Sequence, residues 1–216
     1  MTEKKLFLLD AYALIFRAYY AFIKNPRFNS KGLNTSAILG FTNTLDEVIK
    51  KENPTHIAVV FDYPAKNFRS LLYPEYKANR PPTPEDIKKS VPHIKEIIKS
   101  YNIPIFEIEG FEADDIIGTL AKTAEKKDFK VYMMTPDKDF NQLVSENIFV
   151  YKPKRSGKEI EIIDTKYIKN FFGLNEPEQF IEILALWGDV SDNVPGIKNI
   201  GEKTAVKLLQ EYGNLE

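Results

Sequence analysis

Three apolar runs of strand length, LFLLD, AVVFD and YMMTPD, each carry an aspartate just after the run: Asp10, Asp62 and Asp137. Such runs alternate along the chain with longer segments of helical period, the pattern of an α/β domain built on a mostly parallel sheet. In a parallel sheet the carboxyl ends of the strands share one edge, where ligands of open α/β folds bind. Three separate strands therefore deliver three carboxylates to one rim.

The pattern predicts strands over residues 5–9, 56–61, 103–107 and 130–135. It predicts helices over 12–23, 35–51 (after the cap candidates Asn34, Thr35 and Ser36), 84–101 and from GFEADD to about 127. Residues 148–163 read as two short strands around PKRSGK, a basic hairpin turn. From residue 164 the chain is expected to be helical, over 164–172, 176–187 and 201–212. Residues 63–83, proline-rich and with neither a 2 nor a 3.6 period, are expected to form a long mobile excursion, and loops of that length tend to be functional. The expected division is an α/β core over 1–163 and a helical region over 164–216.

More acids gather around the rim. In GFEADDIIG, Glu112, Asp114 and Asp115 open a helix that follows the third strand. Helix capping alone accounts for one or two of them. Asp139 follows Asp137 at i+2, and WGDVSD adds Asp189 and Asp192 at i,i+3, expected one helical turn apart. Any one of the nine fits a scattered surface acid, since the chain has 31 Asp and Glu residues. The strand-end placement of Asp10, Asp62 and Asp137 fits that reading poorly.

Composition narrows what such a cluster can hold. With 216 residues, 43% of them hydrophobic, the chain can bury a full core as one domain or one plus a small appendage. It has no cysteine and only two histidines, His56 and His93. A metal site must then be built mainly from oxygen ligands, which favours Mg²⁺ or Mn²⁺ over zinc. Crowded carboxylates oppose one another's ionisation unless cations join them. Two divalent ions would meet that need and suit hydrolysis of a phosphodiester. The opening apolar run is too short for a signal peptide or a membrane span, so a cytoplasmic protein is expected. The net charge of -1 advertises no global polycation, and nucleic-acid binding must rest on local patches.

Two such patches exist. Lys66, Arg69, Lys77 and Arg80 stand against one acid, Glu75, interleaved with Phe68, Tyr73 and Tyr76. Cations among aromatics suit unpaired nucleic acid, although a merely solvated basic loop has the same composition. Arg17, beyond Asp10, is either a phosphate contact or an ordinary surface arginine. Near the end, Gly196, Lys198, Gly201, Lys203 and Thr204 lie in VPGIKNIGEKTA, where a glycine turn feeds a helix whose N-terminal N–H groups face an anion. Such turns grip a phosphate backbone without reading sequence, and they also occur simply as links between helices.

Taken in order, DAYALIFRAYYA, VVFD, YKANR, GFEADDIIG, TPDKDFNQLV and GDVSDNVPGIKNIGEKTA resemble the 5' nuclease (flap endonuclease) family over essentially the whole chain. The likeness is greatest to the N-terminal 5'-3' exonuclease domain of bacterial DNA polymerase I. The resemblance implies a PIN-like α/β core, an arch or gateway over residues 63–83, and a helix-hairpin-helix turn near the end. It implies cutting of DNA at flaps, nicks and single-strand/double-strand junctions, with removal of RNA primers, by two divalent metals. Asp10, Asp62, Glu112 and Asp114 would surround the first metal, with Asp115 between the sites. Asp137, Asp139, Asp189 and Asp192 would serve the second. Lys77, Arg80 and Arg17 would act at the scissile phosphate, Tyr76 would stack on a base, and the glycine turn would hold duplex and a K⁺ ion.

The resemblance also implies a monomer that is fused to a polymerase in the full-length protein. Asn199 departs from the family pattern, where glycine is usual, and puts the K⁺ site in doubt; asparagine is among the better non-glycine residues for positive φ. The chain stops at EYGNLE, where family domains continue into further helices, so a truncated domain is expected. A PIN-like ribonuclease would lack the gateway and the glycine turn. A structure-specific DNA-binding module without catalysis would not require all nine acids. An aspartyl phosphotransferase would want a second acid where Tyr12 stands.

Overall fold

A computed structural model describes residues 3–153 and 160–215. The expected basic turn PKRSGK falls mostly on residues 154–159, outside the described residues.

Six strands form one sheet in the order β3-β2-β1-β4-β5-β6. β1 (Lys4–Asp10), β2 (His56–Val60), β3 (Ile105–Phe106), β4 (Phe129–Met134) and β5 (Ile148–Pro153) run parallel, and β6 (Ile160–Ile163) pairs antiparallel on the edge. β1 explains why its sequence is apolar without alternation. Phe7 and Leu9 pack into one core with helices α1 (Ala11–Ala21), α2 (Ser36–Glu52) and α4 (Glu85–Ser100). Leu8 packs into the other, with α5 (Ala113–Glu125), α7 (Gln179–Trp187) and α8 (Glu202–Tyr212). A strand covered on both faces needs apolar residues at every position.

The connections from β1 run outward to β2 and β3, then return across the sheet to β4. The order reverses between β1 and β4, and ligands of such sheets bind outside that switch point. Asp10 ends β1, and Asp137 follows β4 by three residues.

Several expectations are corrected. The third strand is two residues long, because only Val59 and Val60 of β2 offer it partners. Residues 63–83 carry a short helix, α3 (Phe68–Leu72), followed by turns, and they dock rather than stand away. The segment expected as one helix over 164–172 is α6 (Thr165–Tyr167) continued by a π turn, Ile168–Phe172. Asp189 and Asp192 do not share a helical turn. Gly188, at φ 75°, ends α7, and a tight hairpin follows, with β7 (Gly188–Asp189) pairing to β8 (Val194–Pro195). Among the described residues no helix is long and apolar enough to cross a membrane.

Candidate active site

Each strand-end aspartate also steadies the start of a helix or turn on the same rim. Asp10 caps α1, with Oδ1 accepting from Ala13 N at 3.2 Å, and Oδ2 accepts from Thr135 Oγ1 at 2.9 Å. Asp62 Oδ1 accepts from Ala113 N, the first residue of α5, at 2.9 Å. Asp137 Oδ1 accepts from Asp139 N at 3.0 Å and caps a 3-10 turn, Lys138–Leu143. At the start of α5, Asp115 Oδ2 accepts from Glu112 N at 3.0 Å. Capping is thus real, and it aims carboxylates at the rim rather than competing with a second role.

The crowding shows in the electrostatics. Burial, reinforced by Asp62 and Asp137, pushes Asp10 up to about 7. Asp114 is pushed up to about 8 by burial and then by Asp10, Asp137 and Asp62. Asp62 is raised by burial. Asp139 is raised to about 6 by burial and then by Asp137. Its Oδ1 is buried without a hydrogen bond, and the Lys138 ammonium stands off at 3.4 Å. Carboxylates this reluctant to ionise, one with an orphaned oxygen, make an all-oxygen donor set that fits hard divalent cations.

The other four acids face cations of the protein itself. Lys77 Nζ donates to Glu112 Oε1 at 2.7 Å, and Arg69 grips both oxygens of Asp115 at 2.7 and 2.8 Å. Arg80 pairs with Asp192, and Lys138 with Asp189 at 2.7 Å. Burial alone would raise Asp115, but the Arg69 guanidinium and the Glu112 N–H outweigh it and hold it low. Asp189 is likewise held low, its bonds to Lys138 and Ser191 outweighing burial. With these partners in place, no three Asp, Glu or His side chains among the described residues stand close enough to hold one ion. Asp10, Asp62, Asp114, Asp137 and Asp139 act on one another electrostatically, while Glu112, Asp115, Asp189 and Asp192 are each paired with a cation of the protein.

Tyr76, expected to stack on a base, donates its hydroxyl to Glu112 at 2.8 Å or Asp192 at 3.0 Å. Burial and those two charges raise its pKa. The gateway is pinned to the β7–β8 hairpin by Lys77 N to Asp192 O, Asn79 Nδ2 to Val190 O and Asn193 Nδ2 to Glu75 O. None of these hairpin contacts was anticipated; the asparagines on either side were the available signal. An acidic cleft of about 500 Å³, lined by Asp114, Asp139 and Asp192, opens between the gateway and α5.

Of the remaining expected residues, Lys66, Lys198, Lys203 and Thr204 are exposed. Arg17 lies by a separate cleft with Pro136 and Lys152. Gly196 packs against the backbone of Trp187 and Gly188, whereas Gly201 has open space and precedes an α8 N-terminus lacking any side-chain cap. Asn199 adopts φ 68°, a left-handed angle that asparagine tolerates better than most residues.

A mostly parallel sheet with an acidic rim at its switch point, roofed by a basic segment and followed by a glycine turn, defines the class of α/β nucleases. The chain belongs to the 5'-3' exonuclease family: residues 5–173 match the profile of its N-terminal resolvase-like domain and residues 175–216 that of its C-terminal SAM fold. It is 44% identical over 213 residues to the 5'-3' exonuclease of Aquifex aeolicus, covering 99% of this chain and 71% of that one. It is 41% identical to DNA polymerase I of Bacillus caldotenax, over 99% of this chain and 24% of the polymerase. Among solved structures, bacteriophage T5 5'-exonuclease with bound zinc superposes with a TM-score of 0.80 at 24% identity, covering 97% of this chain and 76% of that one. The T5 flap endonuclease with DNA and metal ions gives 0.73 at 23%, covering 98% and 76%. These two likenesses speak to the fold.

Proposed function

We propose that this chain hydrolyses DNA phosphodiesters at 5' flaps, nicks and single-strand/double-strand junctions, including RNA primers. The observation that carries this is the rim itself: Asp10, Asp62, Asp114 and the pair Asp137 and Asp139, brought by four separate segments, repel one another beneath a basic gateway. The named relatives support the reading. Asp10, Asp62, Glu112 and Asp114 would hold one divalent cation, Mg²⁺ or Mn²⁺, and Asp137, Asp139, Asp189 and Asp192 a second, with Asp115 between. When bound, the pair supplies an activated water and charge for the leaving oxygen.

The protein's own groups do the rest. Lys77 and Arg80 leave Glu112 and Asp192 to meet the non-bridging oxygens of the scissile phosphate, where charge develops. Tyr76, released from the same two acids, is placed to stack on the adjacent base. Lys66 and Arg17 add phosphate contacts. Gly196, Lys198, Gly201, Lys203 and Thr204 hold duplex behind the cut, through N–H groups at the uncapped start of α8. Asn199 at φ 68° keeps the turn that a K⁺ site would need. Residues 1–163 would form the nuclease core and 164–216 the duplex-binding part of a monomer that works in the cytoplasm, joined to a polymerase in the full-length protein.

The test is incubation of 5'-labelled flap, nicked and single-stranded DNA with Mg²⁺ or Mn²⁺. Wild type is expected to cut near the junction, and Asp114→Ala and Asp139→Ala to lose cutting. Equal metal-dependent cutting by all three would sink the assignment.

A further inference from the structure

Helix α3 has no buried residue, and its Leu71 and Leu72 are 72% and 82% exposed. Five residues make an unstable helix in water. Something other than a core must hold the gateway, and its first foot is held by polar bonds to α5. Asn67, the α3 cap, donates to Glu112 Oε1 at 2.6 Å. Arg69 places Nη1 and Nη2 on the two oxygens of Asp115. Its guanidinium lies 4.6 Å from the centroid of the Phe68 ring, and that ring lies 6.2 Å from the ring of Phe111, just ahead of α5.

We infer that Arg69 is a positioning residue: it latches the gateway's first foot to α5 and so sets Tyr76 and Lys77 over Glu112, rather than binding nucleic acid. This rests on the nuclease reading given above. Two of its N–H groups are committed to Asp115, and one face covers Phe68. A phosphate approaching the guanidinium would meet the carboxylates of Asp115 and of Glu112, whose Oε2 is 3.7 Å from Nη1. The latch needs the planar fork. Lysine keeps the charge but cannot make two parallel bonds and stack at once. With the first foot loose, the β7–β8 hairpin still holds the Lys77 backbone N–H, but Tyr76 and the Lys77 side chain lose their fixed placement over Glu112.

The test compares the full chain as wild type, Arg69→Lys, Arg69→Ala and Lys66→Ala. Amide exchange without DNA or metal reads the latch directly. Both Arg69 variants are expected to speed exchange across residues 70–80 by about tenfold or more, with β1 and β4 unchanged. Flap affinity in EDTA should stay within about twofold, with an unchanged salt slope. Single-turnover cutting should slow by about tenfold or more in both, with no rescue by lysine. Lys66→Ala, in contrast, should make the salt slope shallower by about one and leave gateway exchange alone.

The inference is overturned if gateway exchange does not change in the Arg69 variants. It is also overturned if Arg69→Ala weakens affinity with a shallower salt slope and Arg69→Lys restores it, since that is a phosphate contact. If wild type cuts no flap with either metal, the nuclease reading fails, and exchange still decides the latch.

Discussion

The Lys77 ammonium stands 2.7 Å from Glu112 Oε1 while Lys77 itself sits at φ 57°, a left-handed angle that few lysines adopt. Its backbone N–H is held by Asp192 O at 2.8 Å, so the strained angle is fixed from one side and the charge from the other. Backbone strain of this kind persists where the surroundings over-determine it. Lys77→Ala is expected to slow single-turnover flap cutting by about 10²- to 10³-fold, because the lost charge acts chiefly on the transition state. Flap affinity in EDTA should change by less than about threefold. A larger loss of affinity than of rate would make Lys77 a binding residue instead.

Asp10 and Asp114, at about 7 and about 8, lie above the ordinary aspartate value of 3.8 expected when the chain is unfolded. Between those limits the folded chain binds more protons than the unfolded one, so metal-free stability falls as pH rises from about 4 to about 8 and then levels. Asp114→Asn removes the charge that must otherwise be buried. Urea unfolding in EDTA should show it more stable than wild type, by an amount that grows from pH 5 to pH 8 and reaches the order of 1 to 3 kcal/mol. The same variant should not cut DNA. A gain that shrinks with rising pH would mean that the rim does not carry this repulsion.

Divalent ions should reverse the effect. A cation that binds only the folded rim stabilises it by mass action. Wild-type melting temperature is expected to rise with Mg²⁺ or Mn²⁺, and to rise less in Asp139→Ala, whose buried Oδ1 has no hydrogen bond in wild type. Identical metal-dependent shifts in both would remove Asp139 from the donor set.

The strand-end acids were legible because the features that place them are local. An apolar run with an aspartate after it is read within about six residues, and the parallel sheet then brings Asp10, Asp62 and Asp137 together. What the gateway does was not legible. Lys77 meets Asp192, 115 positions further along the chain, and a run with no period carries no sign of its partner. The hairpin that carries Asp189 and Asp192 was misread as a helical turn because i,i+3 spacing suits both. Gly188 at φ 75° and Asn193 at φ 58° decide it, residue types that tolerate left-handed backbone. The Arg69–Asp115 pair was not legible for a similar reason: composition marks a basic segment but cannot tell an arginine that faces solvent from one turned onto Asp115.

The two glycines of the terminal turn separate folding from binding. A Cβ at Gly196 would fall 2.2 Å from Trp187 C and O and 2.5 Å from Gly188 N, all backbone atoms with little room to move. Gly196→Ala must then spread the β7–β8 pair and displace Asp189 and Asp192 with it. Thermal unfolding should place it about 1 to 3 kcal/mol below wild type, with cutting lost on every substrate. A Cβ at Gly201 meets nothing within 4 Å, and φ there is -100°, an angle open to any residue. Gly201→Ala should therefore unfold within about 0.5 kcal/mol of wild type, as substitutions clear of packing do. If the start of α8 grips a phosphate backbone, the added methyl stands where that backbone approaches, and duplex affinity should fall by about threefold or more while cutting at saturating DNA is kept. Unchanged affinity in Gly201→Ala, measured beside a Lys203→Ala control that weakens binding, would move the duplex contact away from the helix start and onto the flanking lysines.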